Sequence, residues 1–160
     1  MDEQVIVDTN VLLAGTAKAD HLSVDCILKC IETLAEIKKN CRLVLDRSGN
    51  ILEEYRKKIK AIGSPLTPGQ SFLVWIFENN YNPVHCKLVD IHPSGDDRKY
   101  LEFPDAADLV GFDPSDKKFV AVAIASGDNP PILFASDRGW IRYRAALENN
   151  NVSVRELCPT

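Results

Sequence analysis

Apolar residues in this chain follow two alternating patterns: short continuous runs, and longer stretches with 3.6-residue periodicity. Val5-Ile6-Val7 is a run of the first kind, and it predicts a central strand over 4–7 buried on both faces. Ser23 is placed to cap a helix running to about Lys39, with Val24, Ile27, Leu28, Ile31, Leu34 and Ala35 along one side. Cys41-Arg42-Leu43-Val44-Leu45 predicts a second strand. A helix follows, with Ser48 as its cap and Ile51, Leu52, Tyr55 and Ile59 on its buried side, and Gly63-Ser64-Pro65 closes the unit.

The alternation continues to the end of the chain. Residues 69–80 predict a helix carrying Phe72, Trp75 and Ile76, closed by Tyr81-Asn82-Pro83. Val84 to Ile91 has strand character, and 92–105, with Pro93, Gly95, Asp96-Asp97 and Pro104, reads as an exposed loop. Asp113 as N-cap and Pro114 at the first helical position open a helix over 113–126. Its Phe119–Ala125 stretch is almost wholly apolar, so it is expected to be buried on more than one side. A strand at 132–135, a helix at about 138–148 and a strand at 152–156 complete a β/α series. That order implies a mainly parallel sheet with helices on both faces.

A chain of 160 residues fits one domain, 1–160, able to bury a core without disulfides or a structural metal. No apolar stretch approaches the roughly 20 residues that span a bilayer. The acidic start Met1-Asp2-Glu3 argues against a secretory signal, so a cytoplasmic location is expected. Five cysteines, an odd number, cannot all pair within one chain, and their scatter resembles no disulfide framework. Cys26 and Cys30 lie one helical turn apart with His21 nearby, which admits a zinc site. No second cysteine–histidine pair accompanies them, and buried reduced thiols are the expectation.

The candidate chemistry is acidic. Asp8-Thr9-Asn10 follows the first strand directly, and Ser136-Asp137 follows Ile132-Leu133-Phe134-Ala135. Carboxylates at strand ends stand at the carboxyl edge of the sheet, where open α/β folds keep their ligand sites. Glu54 and Asp116 sit on helices between them. Four acids at one edge repel one another unless a divalent cation, Mg²⁺ or Mn²⁺, neutralises them. Each acid also has a plain structural role open to it. Asp8 and Asp137 can start the helices that follow them, and Asp113-x-x-Asp116 resembles a capping box in which a first-turn carboxylate is favourable by about 0.3–1 kcal/mol. Glu53 points away from the apolar face of its helix while Glu54 lies at its boundary, which favours Glu54 as the inward acid.

The net charge of −4 sits awkwardly with nucleic-acid binding, because phosphate contacts supply most of that affinity. Yet Arg56-Lys57-Lys58 with Lys60, Lys117-Lys118, and Arg138, Arg142 and Arg144 each lie near one of the acids. They read equally as a basic rim for a phosphate backbone or as solvated helix faces.

Taken in order, Val-Ile-Val-Asp8-Thr-Asn10-Val-Leu-Leu, Ile51-Leu-Glu-Glu54-Tyr, Asp113-Pro-Ser-Asp116-Lys-Lys-Phe-Val-Ala-Val-Ala and Ala135-Ser136-Asp137-Arg resemble the motifs of the PIN domain. The resemblance spans nearly the whole chain and is weakest over 63–105, which reads as a variable insert. It implies a three-layer α/β/α sandwich and a ribonuclease dependent on Mg²⁺ or Mn²⁺. Its acidic cluster maps onto Asp8, Glu54, Asp116 and Asp137, with Asn10 and Ser136 in support. Asp8, Asp116 and Asp137 would hold the metal, while Arg56, Lys117, Lys118 and Arg138 would contact RNA. Hydrolysis in the family's manner leaves a 5′-phosphate and a 3′-hydroxyl. Many relatives carry a further acid where this chain has Gly139, which puts a second metal and full catalytic strength in question. An antitoxin or other protein partner and a homo-oligomer are compatible with the resemblance.

Two rival readings accompany it. A haloacid-dehalogenase-type phosphatase also begins with an aspartate after a strand, but it uses a second acid two residues on, where this chain has Asn10. A PIN-like module without catalysis, binding RNA or a protein partner, is the other. His21, His85 and His92 lie outside every motif, so no histidine is placed as a general base.

Overall fold

A computed structural model describes residues 3–16, 21–60 and 65–158. Gly63 and Ser64 of the predicted stop lie outside these residues. Five strands, β1 (Glu3–Val7), β2 (Cys41–Asp46), β3 (Cys86–Val89), β4 (Ile132–Phe134) and β5 (Val154–Glu156), form one all-parallel sheet in the order β3-β2-β1-β4-β5. Six helices flank it: α1 (Thr9–Ala14), α2 (Val24–Asn40), α3 (Asn50–Ile59), α4 (Pro68–Asn79), α5 (Lys117–Ser126) and α6 (Arg138–Asn149). The alternating pattern therefore does produce a parallel sheet. Val5, Ile6, Val7, Leu43, Val44 and Leu45 are almost completely buried, as continuous runs in central parallel strands require.

The order reverses beside β1. The chain goes from β1 outward to β2 and β3, then returns across the sheet to lay β4 on the other side of β1. Ile6 pairs with Ile132 and Val7 with Leu133, and the Asp8 amide donates to the Leu133 carbonyl at 2.9 Å. Asp8 and the Ala135-Ser136-Asp137 segment thus leave neighbouring strands at the same edge. A crevice opens at such a reversal because the connections diverge from it.

Several local expectations are corrected. The apolar pattern gives α1 no range, but Asp8 does start a helix there, capping it through the Asn10 amide at 3.3 Å. On α2 the buried stripe is Cys26, Cys30, Leu34 and Ile37, whereas Val24 and Leu28 are exposed. Both stripes are apolar at helical spacing, and the one carrying the cysteines faces Cys158. Ser48 does not cap α3. The Asp46 carboxylate, at the end of β2, accepts from the amides of Asn50 at 2.6 Å and Ile51 at 2.9 Å, and Ser48 only supports Asp46. Helix α4 opens on a capping box between Thr67 and Gln70.

The 92–105 segment is not simply an exposed loop. Tyr100 and Phe103 are buried, and Pro93 bridges to Tyr100. Pro114–Asp116 form a 3-10 turn that Asp113 caps through the Ser115 amide, so α5 begins at Lys117. Phe119 to Val122 are all fully buried, as the apolar run predicts.

The packing of α1 on α4 is unusually close. The Gly69 amide donates to the Gly15 carbonyl at 2.9 Å. A Cβ at Gly69 would stand 2.2 Å from the Leu12 carbonyl oxygen. Only glycine admits two backbones at this separation.

Candidate active site

Asp8, Asp116 and Asp137 come from three elements that meet at the β1/β4 reversal, and Glu54 reaches them from α3. Asp8 is buried, with 3 % of its surface exposed. Desolvation first, then the charges of Asp137 and Glu54, raise its carboxyl pKa to about 7, against the opposing influence of the Trp140 indole N–H and the Asn10 amide. Asp116 is raised to about 8, again by burial first and then by Asp8, Asp113, Asp137 and Glu54. Asp137 and Glu54 are therefore close enough to act on both Asp8 and Asp116. Asp116 stands before the first residue of α5, and its side chain makes no capping hydrogen bond. The capping role is filled by Asp113, so no cap accounts for a carboxylate at Asp116.

Hydrogen bonds tie the remaining groups together. The Thr9 hydroxyl donates to Glu54 Oε2, and Lys118 Nζ donates to Glu54 Oε1 at 2.7 Å and to the Ser115 carbonyl. Asn10 Nδ2 donates to Asp137 Oδ2 at 3.4 Å, while Asp137 Oδ1 accepts from the Gly139 amide at 2.8 Å. The expected inward turn of Glu54 matches its partners, and Glu53 is exposed and paired with Arg56. Ser136 lines a cavity beside Cys158.

The basic residues divide. Arg56 and Arg138 are exposed. Lys117 and Lys118 are buried; the first donates to the Asp97 carbonyl and lies over the Phe103 ring, the second serves Glu54. Their ammonium groups are thus engaged within the fold. A depression of 450 Å³ lies alongside Glu54, walled by Lys57, Lys58, Lys99 and Lys118 together with Asn50, Glu53 and Tyr100. A cavity of 640 Å³ between α2 and β5 is larger, but none of the four acids lines it.

Sequence reasoning missed three participants. The bond of Thr9 to Glu54 depends on α1, for which the sequence pattern gives no range. The pairing of Lys118 with Glu54 spans 64 residues. Trp140 is fully buried, and its Nε1 has no hydrogen-bond partner. The indole dipole nevertheless holds the Asp8 carboxyl down, so a buried donor is left available beside that acid. The fully apolar setting of α5 was the available signal that Lys117 and Lys118 would turn inward.

The donor set suits a hard divalent cation: it is made of carboxylate oxygens, two of which burial and mutual repulsion keep protonated near neutral pH. The oxygens stand wider than a closed shell. Among the described residues, the group of three or more ligand atoms lying within 4.8 Å of one another is Cys26, Cys30 and Cys158. Cys26 and Cys158 are disulfide-bonded with an S–S distance of 2.06 Å, so the expectation of reduced thiols fails for this pair. Their separation of 132 residues hid the contact. No helix among the described residues is long and apolar enough to cross a membrane. Comparison with known proteins finds no matching family, curated protein or solved structure.

Proposed function

We propose that the chain is a PIN-like, Mg²⁺- or Mn²⁺-dependent ribonuclease acting on single-stranded RNA, built as a three-layer α/β/α sandwich. The observation that carries this reading is the pair of buried carboxyls, Asp8 and Asp116, raised to about 7 and 8 at the reversal point of a parallel sheet. Burial first, and the charges of neighbouring carboxylates second, disfavour the ionised forms there, and a bound cation would relieve both. Asp8, Asp116 and Asp137 would hold the ion, which when bound supplies charge neutralisation at the scissile phosphate and acidifies a water.

The other residues set the geometry. Asn10 and the Gly139 amide fix the two oxygens of Asp137. Lys118 and Thr9 fix both oxygens of Glu54, leaving it to orient solvent at the rim. Lys57, Lys58 and Lys99, along the adjoining depression, offer a path for a phosphate backbone. Arg56 and Arg138, both exposed, are further cations for the backbone; Lys118 lines the depression while holding Glu54, and Lys117 is held on the Asp97 carbonyl. The proposed setting is cytoplasmic, with an antitoxin or another protein as a partner in cells.

A PIN-like module with little or no catalysis is the second reading, favoured by Gly139. That position offers no acid, and its amide engages Asp137 Oδ1. The deciding assay is cleavage of labelled single-stranded RNA with Mn²⁺, Mg²⁺ or EDTA. Cleavage stronger with Mn²⁺ than Mg²⁺, and lost in Asp116→Asn, supports the enzyme. RNA binding without cleavage by wild-type protein supports the module. Cleavage surviving both EDTA and Asp116→Asn points to a contaminating nuclease and removes the basis for the enzyme.

A further inference from the structure

We propose that in the reduced chain Cys26, Cys30 and Cys158 form a thiolate site for one Zn²⁺ ion, distinct from the acidic cluster. The three sulfurs already lie within 4.8 Å of one another. Cys30 Sγ is 4.0 Å from Cys158 Sγ, close to the about 3.8 Å that separates two ligands in a tetrahedral site with Zn–S bonds of roughly 2.3 Å. Cys26 and Cys30 stand one turn apart on the buried stripe of α2, a Cys-x-x-x-Cys spacing within the zinc range. Once the Cys26–Cys158 bond opens, those sulfurs need only move apart to reach the same separation.

The surroundings favour a charged ligand set. Cys26 lies in the first turn of α2, where its amide donates to the Ser23 hydroxyl at 3.1 Å and the helix terminus stabilises a thiolate. A cavity of 520 Å³ lined by His21, Cys26, Lys29, Ser136 and Cys158 opens beside the sulfurs. It provides an entry path, a histidine for the fourth position, and a lysine against the net negative charge of three thiolates on a divalent ion.

The chemistry balances with a monothiol of the glutathione class as reductant. Two thiol molecules supply two electrons and two protons, the Cys26–Cys158 bond breaks to two thiols, and the reductant leaves as its disulfide. Binding then releases the three cysteine protons to solvent as the three S–Zn bonds form. In either state the C-terminal segment is fastened to α2. Cys158 also donates its amide to Ala135 at 3.2 Å, immediately before Ser136-Asp137. The site does not depend on the nuclease reading.

The test is Co²⁺ titration of chain reduced with a phosphine, followed by displacement with Zn²⁺. Sulfur-to-cobalt charge-transfer absorption saturating at one equivalent is expected, absent from oxidised wild-type chain. Cys30→Ser should weaken binding by more than the roughly 10- to 100-fold that loss of a supporting group costs. Cys86→Ala and Asp8→Asn should leave the band in place. A folded, reduced wild-type chain without the band overturns the proposal, as does an equal band in the oxidised chain. Because the oxidised chain is the wild-type sequence, this comparison holds even if the cysteine variants fold poorly.

Discussion

Lys118 Nζ and Glu54 Oε1 are 2.7 Å apart, with 10 % and 21 % of their side chains exposed. This is the cation built into the acidic site. Lys118 neutralises the one candidate acid that comes from α3, while Asp8 and Asp116 are left to repel each other. Removing one partner of a buried pair strands the other. Lys118→Met should therefore cost about 3 kcal/mol in urea unfolding, and Lys118→Met with Glu54→Gln should recover most of it. Additive losses in the double-mutant cycle would show that the two side chains do not depend on each other.

Stability of the metal-free protein should fall as pH rises. Asp8 and Asp116 have folded pKa values of about 7 and 8, both raised from 3.8. Between about pH 4 and 8 the folded chain therefore binds more protons than the unfolded chain, and the slope of unfolding free energy with pH is negative. These two groups impose no penalty below pH 4; the full penalty is present above pH 8. Melting in EDTA across this range should show the decline, and Asp116→Asn should flatten it. A slope unchanged by Asp116→Asn would mean that the carboxyl is not held protonated.

Mn²⁺ should reverse that decline. At 100 times its dissociation constant a ligand specific to the folded state adds about 2.7 kcal/mol. Asp8→Asn should melt higher than wild type in EDTA at pH 8, having lost the repulsion, and should gain less from Mn²⁺. An identical Mn²⁺ response in both proteins would exclude Asp8 as a principal ligand.

Gly69→Ala should destabilise by at least about 3 kcal/mol, the upper part of the overpacking range. The added Cβ meets the Leu12 carbonyl oxygen at 2.2 Å, and backbone cannot swing aside as a flexible side chain does. Gly95→Ala is the control, since a Cβ there meets nothing within 4 Å; its backbone strain at φ +78° should cost only about 1–2 kcal/mol. Equal losses for the two variants, measured by urea denaturation, would show that the α1–α4 approach is looser than described.

The sheet was legible because continuous apolar runs such as Val5-Ile6-Val7 can be satisfied only in buried parallel strands. The places of Asp8 and Asp137 at the carboxyl edge were legible for a related reason: Asp8 follows such a run directly, and Asp137 follows one after a single serine, Ser136. Asp46 shows the limit of that rule. It also ends a buried strand, yet it spends both oxygens on the amides that open α3. Only the loop geometry distinguishes the two outcomes. The six residues of α1 were too few for a periodic signal. The buried face of α2 was ambiguous because two apolar stripes compete, and a partner 132 residues away decides between them. For Lys117 and Lys118 a basic rim and a solvated helix face read equally well, and neither anticipates their burial, because charge run and burial are weighed separately.

The place of β1 between β2 and β4 also governs when the site comes into being. Asn10 and Asp137 meet across 127 residues, so at about 5–20 residues per second the ribosome takes roughly 6–25 s to make the second after the first. Until β4 has emerged, β1 lacks a neighbour on one side, and Asp8 lacks the opposing carboxylate of Asp137. A nascent or prematurely ended chain therefore carries the first acid without the means to use it. Whatever chemistry this site performs is withheld until synthesis has passed Asp137.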